Sequence, residues 1–172
     1  MNIINIPTVL NSKEITIATE RICKSKIYTN FGDEYYKLQD KISSALKLEE
    51  NKDICITSSG HVALLTCIHD ILNKSKIGKC VTPAWSFAST KLITALFNQH
   101  KFIDVGLDGF VSLADLVNIK NSVVVIVSPF GELPSRKYIK DLYSISKKNN
   151  LSCIFDFAAA LPNCLIVNDD RL

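Results

Sequence analysis

The chain has 172 residues, enough for one domain or part of a larger one, with 47% hydrophobic and 22% charged residues. A chain of this length buries roughly 70% of its unfolded surface, so it can build a sizeable core. The formal charge of +3 is small and scattered, which argues against a nucleic-acid partner. No apolar run is long enough to span a bilayer, and Met1–Thr16 shows no basic segment followed by an apolar one, so the expectation is a cytoplasmic protein with no membrane partner.

Residues 1–29 carry no clear periodicity and are expected to form an N-terminal arm. The Asn30–Asp33 turn leads into an amphipathic helix over 34–48, with Asp33 as its expected cap and Tyr35, Leu38, Ile42, Ala45 and Leu46 on one face. A regular alternation follows. Strands are predicted at 53–57, 79–82, 101–105, 122–128 and 151–156. Helices are predicted at 61–72, 86–98, 112–118 and 135–149. The strand Ser122–Ser128 is β-branched and apolar on both faces. Such strands alternating with helices predict an α/β fold with a mostly parallel sheet covered by helices on both sides. After Asp156 the pattern breaks off, with Phe157–Ala160 read as a loop or a helix start.

The six cysteines are Cys23, Cys55, Cys67, Cys80, Cys153 and Cys164, and none forms a C-x-x-C pair. Cys55, Cys67, Cys80 and Cys153 sit in apolar runs and are expected to be small buried hydrophobes in a reducing compartment. His61, His69 and His100 lack zinc-ligand spacing, so no metal site is expected. Dinucleotide, P-loop and nucleophile-elbow motifs are absent.

Ligands of parallel sheets sit at the carboxyl ends of the strands, and three features fall there. Ser58-Ser59-Gly60-His61 joins a strand to a helix. Its free amides suit an anion, and Gly60 lets a phosphate approach the backbone, although a plain helix cap explains the same residues. Trp85 and Phe87 follow the second strand, where they suit either stacking on a flat ring or core packing. Asp156 closes a buried strand, where a carboxylate is costly unless paired. It fits a partner for a cationic ring nitrogen, a helix cap, or a metal or phospho-acceptor site.

The ordered set resembles the DegT/StrS-type family of pyridoxal-phosphate-dependent sugar aminotransferases. The resemblance is carried by Asn30–Leu46, by TSSGHVAL at 57–64, by VTPAWSFAST at 81–90, by VSPFGELP at 127–134 and by IFDFAAA at 154–160. It covers most of residues 28–162 and implies the N-terminal half of such an enzyme, an incomplete large domain over 30–172. It implies pyridoxal 5'-phosphate as cofactor, with Gly60 and His61 on its phosphate, Phe87 stacked on its ring and Asp156 on its ring nitrogen. Ala159 stands where the family often has glutamine or histidine, His61 where it has threonine, and Phe155 where it has an acid.

No lysine here matches the family's S-x-x-x-x-K context for the Schiff base, so no catalytic residue is assigned, and this chain alone is not expected to be competent. The implied partners are a nucleotide-linked or other keto sugar, an amino donor, and a second copy in a homodimer or a complementing C-terminal half. The alternative is a non-catalytic relative that binds a partner subunit or the cofactor only.

Overall fold

The computed structural model describes residues 11–48, 54–75, 77–97 and 99–160. Contacts divide the chain into two compact units, 1–56 and 57–172. In the first unit, α1 (Ser12–Ser25) and α2 (Asp33–Leu46) are both amphipathic helices. No helix is expected before residue 30 from periodicity, yet α1 has a good start signal in Asn11, whose side chain accepts from the Lys13 amide at 3.1 Å. Gly32, not Asp33, caps α2. Asp33 and Glu34 then occupy its first turn, where negative charge suits the helix dipole. Glu34 receives a bidentate pair from Arg21 of α1, at 2.7 and 3.0 Å, and a third contact from Lys37 at 3.0 Å.

The second unit alternates helices and strands: α3 (Gly60–Lys74), β1 (Lys79–Pro83), α4 (Ala88–Ala95), β2 (His100–Ile103), α5 (Leu113–Leu116), β3 (Ser122–Val127), α6 (Arg136–Asn149) and β4 (Leu151–Asp156). The four strands form one sheet in the order β2-β1-β3-β4, and every pairing is parallel. The covered parallel sheet inferred from the sequence is therefore present.

Burial explains why β3 is apolar on both faces. Val123 and Val125 pack with Leu64 and Ile68 of α3 and Ile93 of α4, while Val124 and Ile126 pack with Leu116 of α5 and with Tyr138 and Leu142 of α6. Val123, Val124 and Val125 are fully buried, worth about 1.5–3 kcal/mol apiece relative to exposure, and Val127 at the strand end is partly buried. Tyr138 also donates its hydroxyl to the Val111 carbonyl at 2.9 Å, which satisfies a polar atom that burial would otherwise penalise.

Two expectations are corrected here. Ile54–Thr57 is irregular, and residue 53 lies outside the described residues. A strand exists only through its ladder, and among the described residues none pairs with this apolar segment. Cys55 and Cys67 are exposed, Cys153 is half-buried and only Cys80 is fully buried. Cys55 lies in the irregular segment, and Cys67 sits on the outer side of α3 beside the buried Ile68. Cys164 lies outside the described residues.

Candidate functional site

The carboxyl ends of the strands define one edge of the sheet. The registers Pro83↔Ile103 and Val127↔Asp156 bring the ends of β1, β2, β3 and β4 to this edge. α3 packs along the sheet and delivers the chain through a short connection to the amino end of β1. Its own N-terminus therefore points to the carboxyl edge, toward which its dipole presents a partial positive charge.

That terminus is built by Ser59, which has an extended backbone (φ −164°, ψ 160°) and whose Oγ accepts the Val62 amide at 3.3 Å. The Ser59 carbonyl accepts from Ala63. Neither the Gly60 nor the His61 amide finds an acceptor among the described residues. Both residues are exposed, and a Cβ built on Gly60 would meet nothing within 4 Å. Gly60 has no positive φ and no crowded neighbour, so the fold itself does not require glycine here. The space above the two amides is open.

A cavity of about 360 Å³ lies at the same edge. Its lining comes from the segments that follow each strand: Trp85, Ser86 and Phe87 after β1, Gly109 after β2, Val127 to Phe130 at the end of β3, and Ala159 after β4. None of these side chains is ionisable. Phe87 is 78% exposed, which excludes the core-packing reading of this residue. Trp85 and Phe130 face each other at 5.5 Å between ring centroids, inclined by 51°, and both are more than half exposed. Two backbone features hold that pair. Phe130 is in the left-handed region at φ 51°, costly for a bulky side chain. Gly109, at φ 80°, lies so close beneath Pro129 that a Cβ would come within 2.7 Å of its Cγ and 3.6 Å of Trp85 Cζ3.

Asp156 is half-buried at the end of β4. Its carbonyl accepts the Ser128 amide at 3.0 Å, tying the ends of β3 and β4 together, and its Oδ1 accepts the Ala158 amide at 3.1 Å. It caps a turn over 158–160 rather than a helix. No group of three or more histidines, cysteines or acids gathers among the described residues. Two hydroxyls close to the edge are buried and have no partner among the described residues: Thr82 Oγ1 and Ser128 Oγ.

Of the residues named from the sequence, the structure puts Phe87 and Ala159 in one cavity. Asp156 joins that cavity through Ser128, and Gly60 and His61 stand at the helix start on the same edge without lining it. Sequence reasoning missed Gly109, Ser128 and Phe130. A glycine and a phenylalanine held at positive φ leave no period in the sequence, and the contact between Gly109 and Pro129 joins segments far apart along the chain.

The fold recurs in solved structures. The chain superposes on an aminotransferase of pseudoaminic acid biosynthesis from Helicobacter pylori, PseC, with a TM-score of 0.70 and 20% identity, covering 87% of this chain and 39% of that one. The fold is that of the N-terminal part of the DegT-type sugar aminotransferases. A DegT/DnrJ/EryC1/StrS aminotransferase from Brucella abortus matches with a TM-score of 0.67 and 19% identity, over 83% of this chain and 39% of that one. The sugar aminotransferase CalS13 from Micromonospora echinospora matches with a TM-score of 0.66 and 12% identity, over 86% and 41%. The chain thus spans about two fifths of the length of each of these structures. No family model matches the chain, and no curated protein matches it. Among the described residues, no helix is long and apolar enough to cross a membrane.

Proposed function

We propose that this chain forms the cofactor-holding part of a pyridoxal-phosphate-dependent aminotransferase acting on a keto sugar, nucleotide-linked or free, in amino-sugar biosynthesis. The observation that carries the reading is the carboxyl edge itself. It combines a helix start with two free amides, an uncharged aromatic cavity and a half-buried carboxylate, on a fold shared with enzymes of this chemistry. A flat ring with a phosphate at one end and a basic nitrogen at the other needs those three groups, so the residues present fit the cofactor.

In this reading the Gly60 and His61 amides hold the phosphate, and the open space over Gly60 admits it. Phe87 lies against the ring. Ala159 adds little bulk to the cavity wall. Asp156 holds the ring nitrogen in its protonated form, and the Ala158 amide fixes the carboxylate's orientation through Oδ1. When bound, the cofactor supplies an electron-withdrawing ring that stabilises negative charge on the substrate carbon that loses its proton. No charged side chain on the cavity wall competes with Asp156 for the ring nitrogen.

Residues 1–172 offer the cradle and not the Schiff-base lysine. In this reading the lysine needed for turnover comes from outside these residues.

The test is titration with pyridoxamine 5'-phosphate, whose amine cannot condense with the chain's lysines. Trp85, the single tryptophan, reports from the cavity wall. The reading expects saturable quenching, strongly weakened when the phosphate is removed from the ligand and in Asp156→Asn. Absence of saturable binding, or equal binding of the dephosphorylated ligand, would refute it.

A further inference from the structure

The cavity wall carries a buried hydroxyl that the proposed contacts do not use and that has no partner among the described residues. Ser128 sits directly after β3, lines the cavity, and is 1% exposed. Its amide is committed to the Asp156 carbonyl at 3.0 Å, which fixes its backbone. Its hydroxyl has no partner among the described residues. A buried hydroxyl left unmade costs stability, so a fold retains one where it serves something else or where another molecule completes it.

An ordered water is a poor candidate for that molecule, because a buried water needs two to four polar partners. The only other hydroxyl on the wall belongs to Ser86, which already donates to the Pro83 carbonyl at 3.4 Å. The remaining side chains of the lining are aromatic, aliphatic or absent. A ligand whose ring carries its own hydroxyl or heteroatom fits better. It meets the aromatic faces with its plane and Ser128 with its edge.

We propose that Ser128 Oγ is a ligand-binding group of this cavity, hydrogen-bonded to a polar atom on the edge of the flat ring that Phe87 faces. The assignment rests on the pyridoxal-phosphate reading and adds to it a residue that the resemblance does not assign. A serine hydroxyl both donates and accepts, so it serves a ring hydroxyl in either protonation state. Through its amide, Ser128 also ties this contact to the strand end that carries Asp156.

The experiment compares the wild-type chain, Ser128→Ala and Thr82→Val. Each is titrated with pyridoxamine 5'-phosphate while Trp85 emission is followed, and each is melted thermally without ligand. Thr82 carries the other unpartnered buried hydroxyl but does not line the cavity. Loss of one hydrogen bond predicts roughly three- to ten-fold weaker binding in Ser128→Ala. Its ligand-free melting temperature is expected to equal or exceed that of wild type, since a buried group without a partner is removed. Thr82→Val is expected to gain stability without a change in affinity.

Unchanged affinity in Ser128→Ala, with wild type binding normally, overturns the Ser128 assignment alone. A lowered melting temperature in Ser128→Ala also overturns it, because the hydroxyl would then have a structural partner. No binding by wild type overturns the cofactor reading and this assignment with it.

Discussion

Gly109→Ala tests whether the aromatic wall is held from below. Gly109 has φ 80°, where an L side chain pays about 1–2 kcal/mol. The added methyl would also sit 2.7 Å from Pro129 Cγ. Pro129 is a rigid ring, and its neighbour Phe130 is already in the left-handed region. The contact can therefore be relieved only by moving the 128–131 segment or the 106–109 turn. That turn is itself closed by the Gly109 amide on the Gly106 carbonyl at 2.9 Å and by the Gly106 amide on the Phe110 carbonyl at 2.8 Å. Overpacking of this kind costs about 1–3 kcal/mol. The sum is a loss of about 2–5 kcal/mol, a large share of the roughly 5–15 kcal/mol that stabilises a typical domain. Urea denaturation followed by far-ultraviolet circular dichroism measures the loss, and Trp85 emission in the folded state reports the displaced wall. A stability change below about 0.5 kcal/mol with unaltered Trp85 emission would refute the reasoning. It would mean that the two loops do not constrain one another.

Three other outcomes follow from the same structure. Gly60→Ala meets no neighbour and replaces glycine at a helix start, so stability should hold or rise by up to about 1 kcal/mol. If the amides bind phosphate, affinity for pyridoxamine 5'-phosphate should fall at the same time, whereas a helix cap with no ligand predicts no change in binding. Burial pushes the Cys80 thiol up to about 11. Its contribution is full below the unfolded value near 9 and is lost as pH rises through about 11. At about 1.36 kcal/mol per unit, unfolding free energies from urea titrations should fall over this window by about 2–3 kcal/mol more in wild type than in Cys80→Ala, and equal slopes would refute the assignment. Hydrogen bonds from Arg21 and Lys37 hold the Glu34 carboxyl down at about 2. Its stabilising effect is present above the unfolded value near 4.5 and disappears as pH falls toward 2. A carboxyl-carbon titration by nuclear magnetic resonance with a midpoint near 4.5 would contradict the ion pair.

Strands β1 to β4 and helices α3 to α6 were legible because their signals are local. Val123 to Val127 is β-branched and apolar throughout, and Ser135 begins α6 as the accepting cap that its position suggests, taking the Tyr138 amide at 3.1 Å. The misreadings share a cause. Ile54 to Thr57 has the composition of a strand, but a strand is completed by its neighbour, which composition cannot supply. Cys67 lies in an apolar helix and is exposed because the sheet covers only the side of α3 that carries Leu64 and Ile68. Apolar character shows that a segment is buried somewhere, and only the packing shows which side.

The same distinction runs through the site. Asp156 could be singled out because a carboxylate ending a buried strand conflicts with its surroundings, and such conflicts are visible in sequence. Ser128 makes an equal conflict in the structure, yet serine at a strand end is unremarkable in sequence. Its lack of a partner depends on what the folded chain brings near it, which no local pattern of residues reveals. A carboxylate announces its cost by its type, whereas a hydroxyl does so only through its environment. The buried hydroxyl is consequently where the structure adds most to the sequence, and binding by Ser128→Ala is the measurement on which that addition stands or falls.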